Sequence, residues 1–105
     1  MRDAVVIGAG IAGLAAAIRL ARSGASVTLV AKGVGGLQLG TGTIDVLGYS
    51  PERVERPLEA IGPHVASRHS HPYSHFTSEF VGEAVNWLRD TVGPSLLVGD
   101  ASRNV

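Results

Sequence analysis

Gly8, Gly10 and Gly13 stand in a G-x-G-x-x-G spacing, and the chemistry this spacing serves is the holding of a phosphate or pyrophosphate. Each glycine has its own mechanical task. Gly8 makes the tight turn out of a strand, Gly10 lets the anion approach the backbone, and Gly13 lets the following helix pack close to the sheet. The helix that opens here presents unpaired N–H groups and a partial positive charge. Gly8, Ala9, Gly10, Ile11, Ala12 and Gly13 are therefore the first candidate binding segment. Ala17, one turn on, is small enough to help the helix lie close.

A motif of this kind usually carries an acidic residue about 20 positions later, where it accepts from ribose hydroxyls. Counted from Gly13, that place falls on Ala31 or Lys32, and neither side chain accepts a hydrogen bond. Three readings follow. Lys32 meets the extra phosphate of NADP, or a flavin nucleotide is held without the ribose carboxylate, or Lys32 is a solvated loop charge. A Rossmann-like unit that keeps its shape without a ligand is the structural alternative to a bound cofactor.

The elements around the glycines decide whether the motif has its proper setting. Ala4-Val5-Val6-Ile7 is a short apolar run suited to a parallel strand covered on both faces. Ile11, Leu14, Ala15, Ile18 and Ala21 recur at helical spacing, and the helix stops near Ser23 and Gly24. Val27 to Ala31 is the second strand, and the whole spans the roughly 30 residues a βαβ unit needs. Residues 1–32 thus read as a βαβ core and 33–48 as a glycine-rich loop. Thr43-Ile44-Asp45-Val46-Leu47 forms a short strand or helical turn within that loop. Residues 49–76 read as an irregular connection, because Pro51, Pro57, Pro63 and Pro72 oppose a long helix. A short helix from Pro57 through Ile61 is allowed there. Residues 77–99 read as a helix over 78–92, capped by Thr77 or Ser78 and ended by Gly93-Pro94, then a third strand at Ser95–Val98. Val81, Ala84, Val85, Leu88 and Val92 form that helix's apolar stripe, and Gly82 within it needs tertiary support.

The expected fold class is α/β: an N-terminal Rossmann-like FAD/NAD(P)-binding unit with a parallel sheet. Nucleotide-binding sheets commonly have about five or six strands, and only three are expected here, so the domain reads as incomplete. Apolar residues make up 45% of the 105, enough for a globular chain. Nine basic and nine acidic residues cancel, which gives no electrostatic case for nucleic acid. With no cysteine, thiolate metal sites and cysteine-held iron–sulfur clusters are excluded within these residues. No secretory signal and no transmembrane run of ~18 apolar residues is visible, so a cytoplasmic protein is expected.

The other candidate side chains read more simply. His64, His69, His71 and His75 are loop or packing histidines rather than a metal site. Tyr73 and Phe76 pack a turn begun by His71-Pro72. Trp87, on the flank of the helical stripe, packs in the core or at a subunit interface, and Glu79 and Glu83 form a solvated face. Asp45, the carboxylate of the glycine-rich loop, either serves a local turn or reaches a flavin ribityl hydroxyl.

Ala4 to Gly13, the segment Leu39-Gly40-Thr41-Gly42-Thr43-Ile44-Asp45-Val46-Leu47, and His71-Pro72-Tyr73-Ser74 with the helix after it resemble the B subunits of anaerobic glycerol-3-phosphate dehydrogenase. These are flavoproteins of the FAD-binding Rossmann superfamily, and the likeness covers their N-terminal part. The second strand of that family also tends to lack the ribose acid, as at Ala31. The resemblance implies FAD or FMN as cofactor, with NADP as the alternative from Lys32. It implies phosphate contacts at Gly8, Gly10 and Gly13, and a second loop near the flavin at Gly40, Thr41, Gly42 and Thr43. It gives no catalytic acid or base at any matched position. The implied reaction oxidises glycerol 3-phosphate to dihydroxyacetone phosphate, with electrons passed to quinone. The implied partners are a catalytic A subunit and an iron–sulfur C subunit that meets the membrane, which would place the chain at the inner face of the cell membrane. A non-catalytic interaction subunit is the alternative from another class.

Overall fold

The computed structural model describes Met1–Asn104 and divides into two compact units, one ending at Thr43 and the next beginning at Ile44.

In the first unit, β1 (Ala4–Ile7), α1 (Ile11–Arg22) and β2 (Val27–Val30) form a βαβ crossover. The strands pair in parallel with Ala4 opposite Val27 and Ile7 opposite Val30. A polar exchange fixes this register at its start. The Asp3 carboxylate accepts from the Ser26 N–H at 2.8 Å, and the Asp3 N–H donates to the Ser26 carbonyl at 3.0 Å. Hydrogen bonds from the Ser26 backbone, then its side chain, hold the Asp3 carboxyl below the usual carboxylate range. The α1 stop falls where the glycine was expected, with the Gly24 N–H bonded to the Ala21 carbonyl at 3.0 Å. After β2, a 3₁₀ turn spans Gly36–Leu39. The expected parallel sheet is present with two strands, but it is not covered on both faces: Val5 is 61% and Ile7 84% exposed.

The second unit is helical. α2 (Pro57–Ser67) and α3 (Ser78–Val92) pack together, and Pro57, Ile61, His64 and Val81 lie buried in them with Val54 and Ala101 beside. α3 matches its expected bounds because its signals are local. The Thr77 hydroxyl accepts from the Phe80 N–H at 3.0 Å, and Gly93 ends the helix at φ +102, where a side chain would be strained. The support that Gly82 needs comes from Leu58 of α2, whose Cδ1 lies 3.1 Å from where a Cβ would stand. Asn104 closes the unit: its side-chain amide donates to the Leu47 carbonyl at 2.8 Å and to the Val54 carbonyl at 2.6 Å.

Three expectations are corrected here. α2 extends to Ser67 with Pro63 inside it, because a proline removes one helical hydrogen bond while flanking burial at Ile61 and His64 holds the turn. Ser95–Val98 is no strand. The Leu96 and Leu97 N–H groups both turn back onto the Gly93 carbonyl, and Leu96 and Val98 are about four-fifths exposed at 79% and 80%. A strand needs a ladder partner, and this apolar run has none among the described residues. Thr43–Leu47 forms neither a strand nor a helical turn.

Candidate functional site

Gly8 leaves β1 with φ +110, and its N–H still bonds the Val30 carbonyl at 2.8 Å, so the turn begins at the last rung of the sheet. Gly13 has ordinary helical geometry, but a Cβ there would overlap the Gly8 carbonyl oxygen and stand 3.0 Å from its carbon. Two of the three motif glycines thus answer to the protein itself, one through backbone conformation and one through packing.

Gly10 answers to neither. It caps α1 with φ −76 and ψ 176, a conformation open to any residue, and a Cβ built on it would meet nothing within 4 Å. The helix end is otherwise bare. Gly10 supplies no capping side chain, and no acidic residue occupies the first turn. Ile11 and Ala12 are exposed, and the first-turn N–H groups have no partner within the helix. Arg19 and Arg22 sit in the last turn, where cations complement the helix dipole. An uncapped, uncharged N-terminus beside an open space is the donor set a pyrophosphate requires, and these residues fit the phosphates of a dinucleotide.

The remaining candidates fall in different places. Ala31 and Lys32 follow β2 and are exposed, and no acid stands with them at the strand end. Gly40, Thr41, Gly42 and Thr43 form a turn of their own. The Thr41 and Thr43 hydroxyls are bonded at 2.8 Å across Gly42, which has φ +83. The glycine-rich loop meets the Gly8–Gly13 turn at Gly35, whose approach brings it against the Ala9–Gly10 peptide. Spacing alone does not separate it from Gly33 and Gly36.

In the second unit, Asp45 is among the residues lining a groove of about 290 Å³, with Ile44, Val46, Tyr73, Phe76, Phe80 and the Val81–Leu88 part of the α3 stripe. The Tyr73 hydroxyl donates to the Val46 carbonyl at 2.6 Å, and burial pushes its phenol pKa up. Phe76 stacks on Phe80 at 5.2 Å, both about half exposed. His71 accepts from the Tyr73 N–H at 3.1 Å and so caps the turn that follows it. His64 is a packing histidine. Arg68 Nη1 lies 3.1 Å from its Nδ1, and a guanidinium can only donate, so Nδ1 carries no proton. The Ser50 hydroxyl lies 2.7 Å from the same nitrogen. Burial first, then Arg68 and His71, lowers the His64 pKa. Among the described residues, no group of three or more His, Asp or Glu side chains is placed to hold a metal ion. No helix among them is long and apolar enough to cross a membrane.

A βαβ turn whose middle glycine leaves room for an anion defines a dinucleotide-binding unit. Residues 3–103 match the FAD binding domain family, and the chain belongs to it. It is similar to the B subunit of anaerobic glycerol-3-phosphate dehydrogenase from Vibrio vulnificus strain YJ016, 38% identical over 90 residues, covering 84% of this chain and 20% of the relative. The protein of the same name from Aliivibrio fischeri strain MJ11 is 35% identical over 92 residues, covering 86% of this chain and 20% of that protein. That from Yersinia pestis biovar Antiqua is 36% identical over 104 residues, covering 89% and 24%. The chain therefore spans about a fifth of the length of the curated relatives it matches. No solved structure matches it. The family description names FAD; FMN and NADP gain no support from it.

Proposed function

We propose that this chain holds the adenosine-side phosphates of FAD in a flavin-dependent oxidoreductase, and that the reaction is oxidation of glycerol 3-phosphate to dihydroxyacetone phosphate with electrons passed on to quinone. The observation that carries the cofactor reading is Gly10, a glycine that neither backbone conformation nor packing demands, at the bare N-terminus of α1. The match to the FAD binding domain family supports it independently. The substrate reading rests on the likeness to the B subunits.

In this reading Gly8, Ala9, Gly10, Ile11, Ala12 and Gly13 form the pyrophosphate cradle. Ala31 and Lys32 border the adenosine side, and Gly40, Thr41, Gly42 and Thr43 form a loop on the approach. The FAD, when bound, is the group that accepts the substrate's hydride. The chain's own residues bind and orient: the first-turn N–H groups of α1 donate to the phosphates, and the helix dipole favours their charge. Without a carboxylate at Ala31, the ribose hydroxyls receive no charged acceptor from β2. The word subunit in the relatives' names supports a multi-subunit assembly, for which we propose a catalytic A subunit and an iron–sulfur C subunit that brings the complex to the membrane.

The test is to purify the intact protein, record its visible spectrum, and identify by chromatography what denaturation releases. A yellow protein that releases FAD is the expected result. A colourless protein that takes up no FAD on titration overturns the reading.

A further inference from the structure

Gly35 is extended, with φ −68 and ψ 176, so its backbone asks for no glycine. Space does. A Cβ at this position would collide with the Ala9 carbonyl oxygen, stand 2.5 Å from the Ala9 carbonyl carbon and stand 2.7 Å from the Gly10 nitrogen. All three are backbone atoms, so no change of rotamer relieves the overlap. The same substitution at Gly33 or Gly36 meets nothing within 4 Å. The close approach therefore belongs to one residue of the glycine-rich loop, and what it presses on is the peptide that leads into the N-terminus of α1.

We propose that Gly35 is a positioning residue for the FAD pyrophosphate: it braces the Ala9–Gly10 peptide from the β2 side and so fixes Gly10 and the first-turn N–H groups in the direction the phosphates need. This rests on the FAD reading above. It also gives the run after β2 a task in a chain whose strand end, at Ala31, has no side chain for the ribose. In this chain that side of the cofactor site acts through backbone packed on backbone. Hydrogen bonds to a charged acceptor depend steeply on distance and direction, so a brace that retreats to admit one methyl group weakens several of them together.

The experiment compares Gly35→Ala with Gly33→Ala and Gly36→Ala in the intact protein. FAD affinity is measured by quenching of flavin fluorescence, and the thermal midpoint is measured with and without FAD. Gly35→Ala is expected to raise the FAD Kd about tenfold or more, the loss of one good charge-assisted hydrogen bond or more. The two controls are expected to stay within about twofold, and the flavin-free midpoint of Gly35→Ala is expected to stay near wild type. Unchanged affinity in Gly35→Ala overturns the proposal, as does an equal loss in the controls. A Gly35→Ala protein that unfolds without flavin makes the role structural and overturns it too. A second measurement needs no variant. In the wild type, FAD should slow hydrogen exchange in residues 8–13 and 33–36 together, and protection confined to 8–13 counts against the brace. A wild-type protein that binds no FAD overturns the parent reading itself, an outcome separate from wild-type binding with an indifferent Gly35→Ala.

Discussion

Between Met1 and Thr43 no described residue is buried, whereas between Ile44 and Asn104 the residues Val54, Pro57, Ile61, His64, Val81 and Ala101 all are. The two units thus spend their small and large residues differently. The first removes side chains from its turn at Gly8, Gly10, Gly13 and Gly35, and holds its shape by a parallel ladder and the Asp3–Ser26 exchange. The second fills the space between two helices with aliphatic groups. Burial gives stability in proportion to the apolar area removed from water, roughly 1.5–3 kcal/mol for a fully buried Ile. An open glycine gives almost none, and its value is in what it admits. The buried residues of the second unit hold this protein together, and under the FAD proposal the glycines of the first are the ones that let it bind.

The largest effect expected on that division is from Ile61→Ala, which should cost about 2–5 kcal/mol in denaturant unfolding. Leu14→Ala, at a half-buried position of α1, should cost clearly less; equal losses would erase the distinction between the units. Next is Gly10→Val, which should weaken FAD binding about a hundredfold, some 2.7 kcal/mol, while the flavin-free midpoint moves little. A large fall in that midpoint would show that Gly10 serves packing. Thr77→Ala removes the cap of α3 and should cost about 1 kcal/mol, seen in unfolding and absent from FAD affinity. The gentlest test is pH. Above the ordinary imidazole value of 6.5, His64 is neutral whether the chain is folded or unfolded, and stability is at its full value. As pH falls below 6.5, the unfolded chain takes up a proton that folded His64 resists, so stability declines until the lowered folded pKa is reached. Denaturation midpoints between pH 7.5 and 5.5 should show this slope, and His64→Asn should flatten it.

The legible parts of the chain are those whose signals are local. α3 announces itself through Thr77, its apolar stripe and Gly93. The glycine turn announces itself through three glycines following an apolar strand; the structure gives a reason of its own for Gly8 and for Gly13, and leaves Gly10 open. What is not legible depends on distant partners. The apolar run Ser95–Val98 has strand composition, but a strand exists only if another lies beside it. Pro63 reads as a breaker in sequence because the burial that holds α2 through it comes from residues elsewhere in the fold. Gly33, Gly35 and Gly36 look alike in sequence, and only the approach to Ala9 singles one out. His64 likewise carries no local sign of its contact with Ser50, fourteen residues earlier.

The Asn104 side chain that grips the Leu47 and Val54 carbonyls bears on the order of events in folding. Asp3 and Ser26 close a loop of 23 residues, while Asn104 and Leu47 close one of 57. Loop closure grows with the logarithm of length, so the longer one costs about 0.8 kcal/mol more. It also waits for residue 104 to leave the ribosome. The Asn104 latch is therefore the costlier of the two closures and the later to become available.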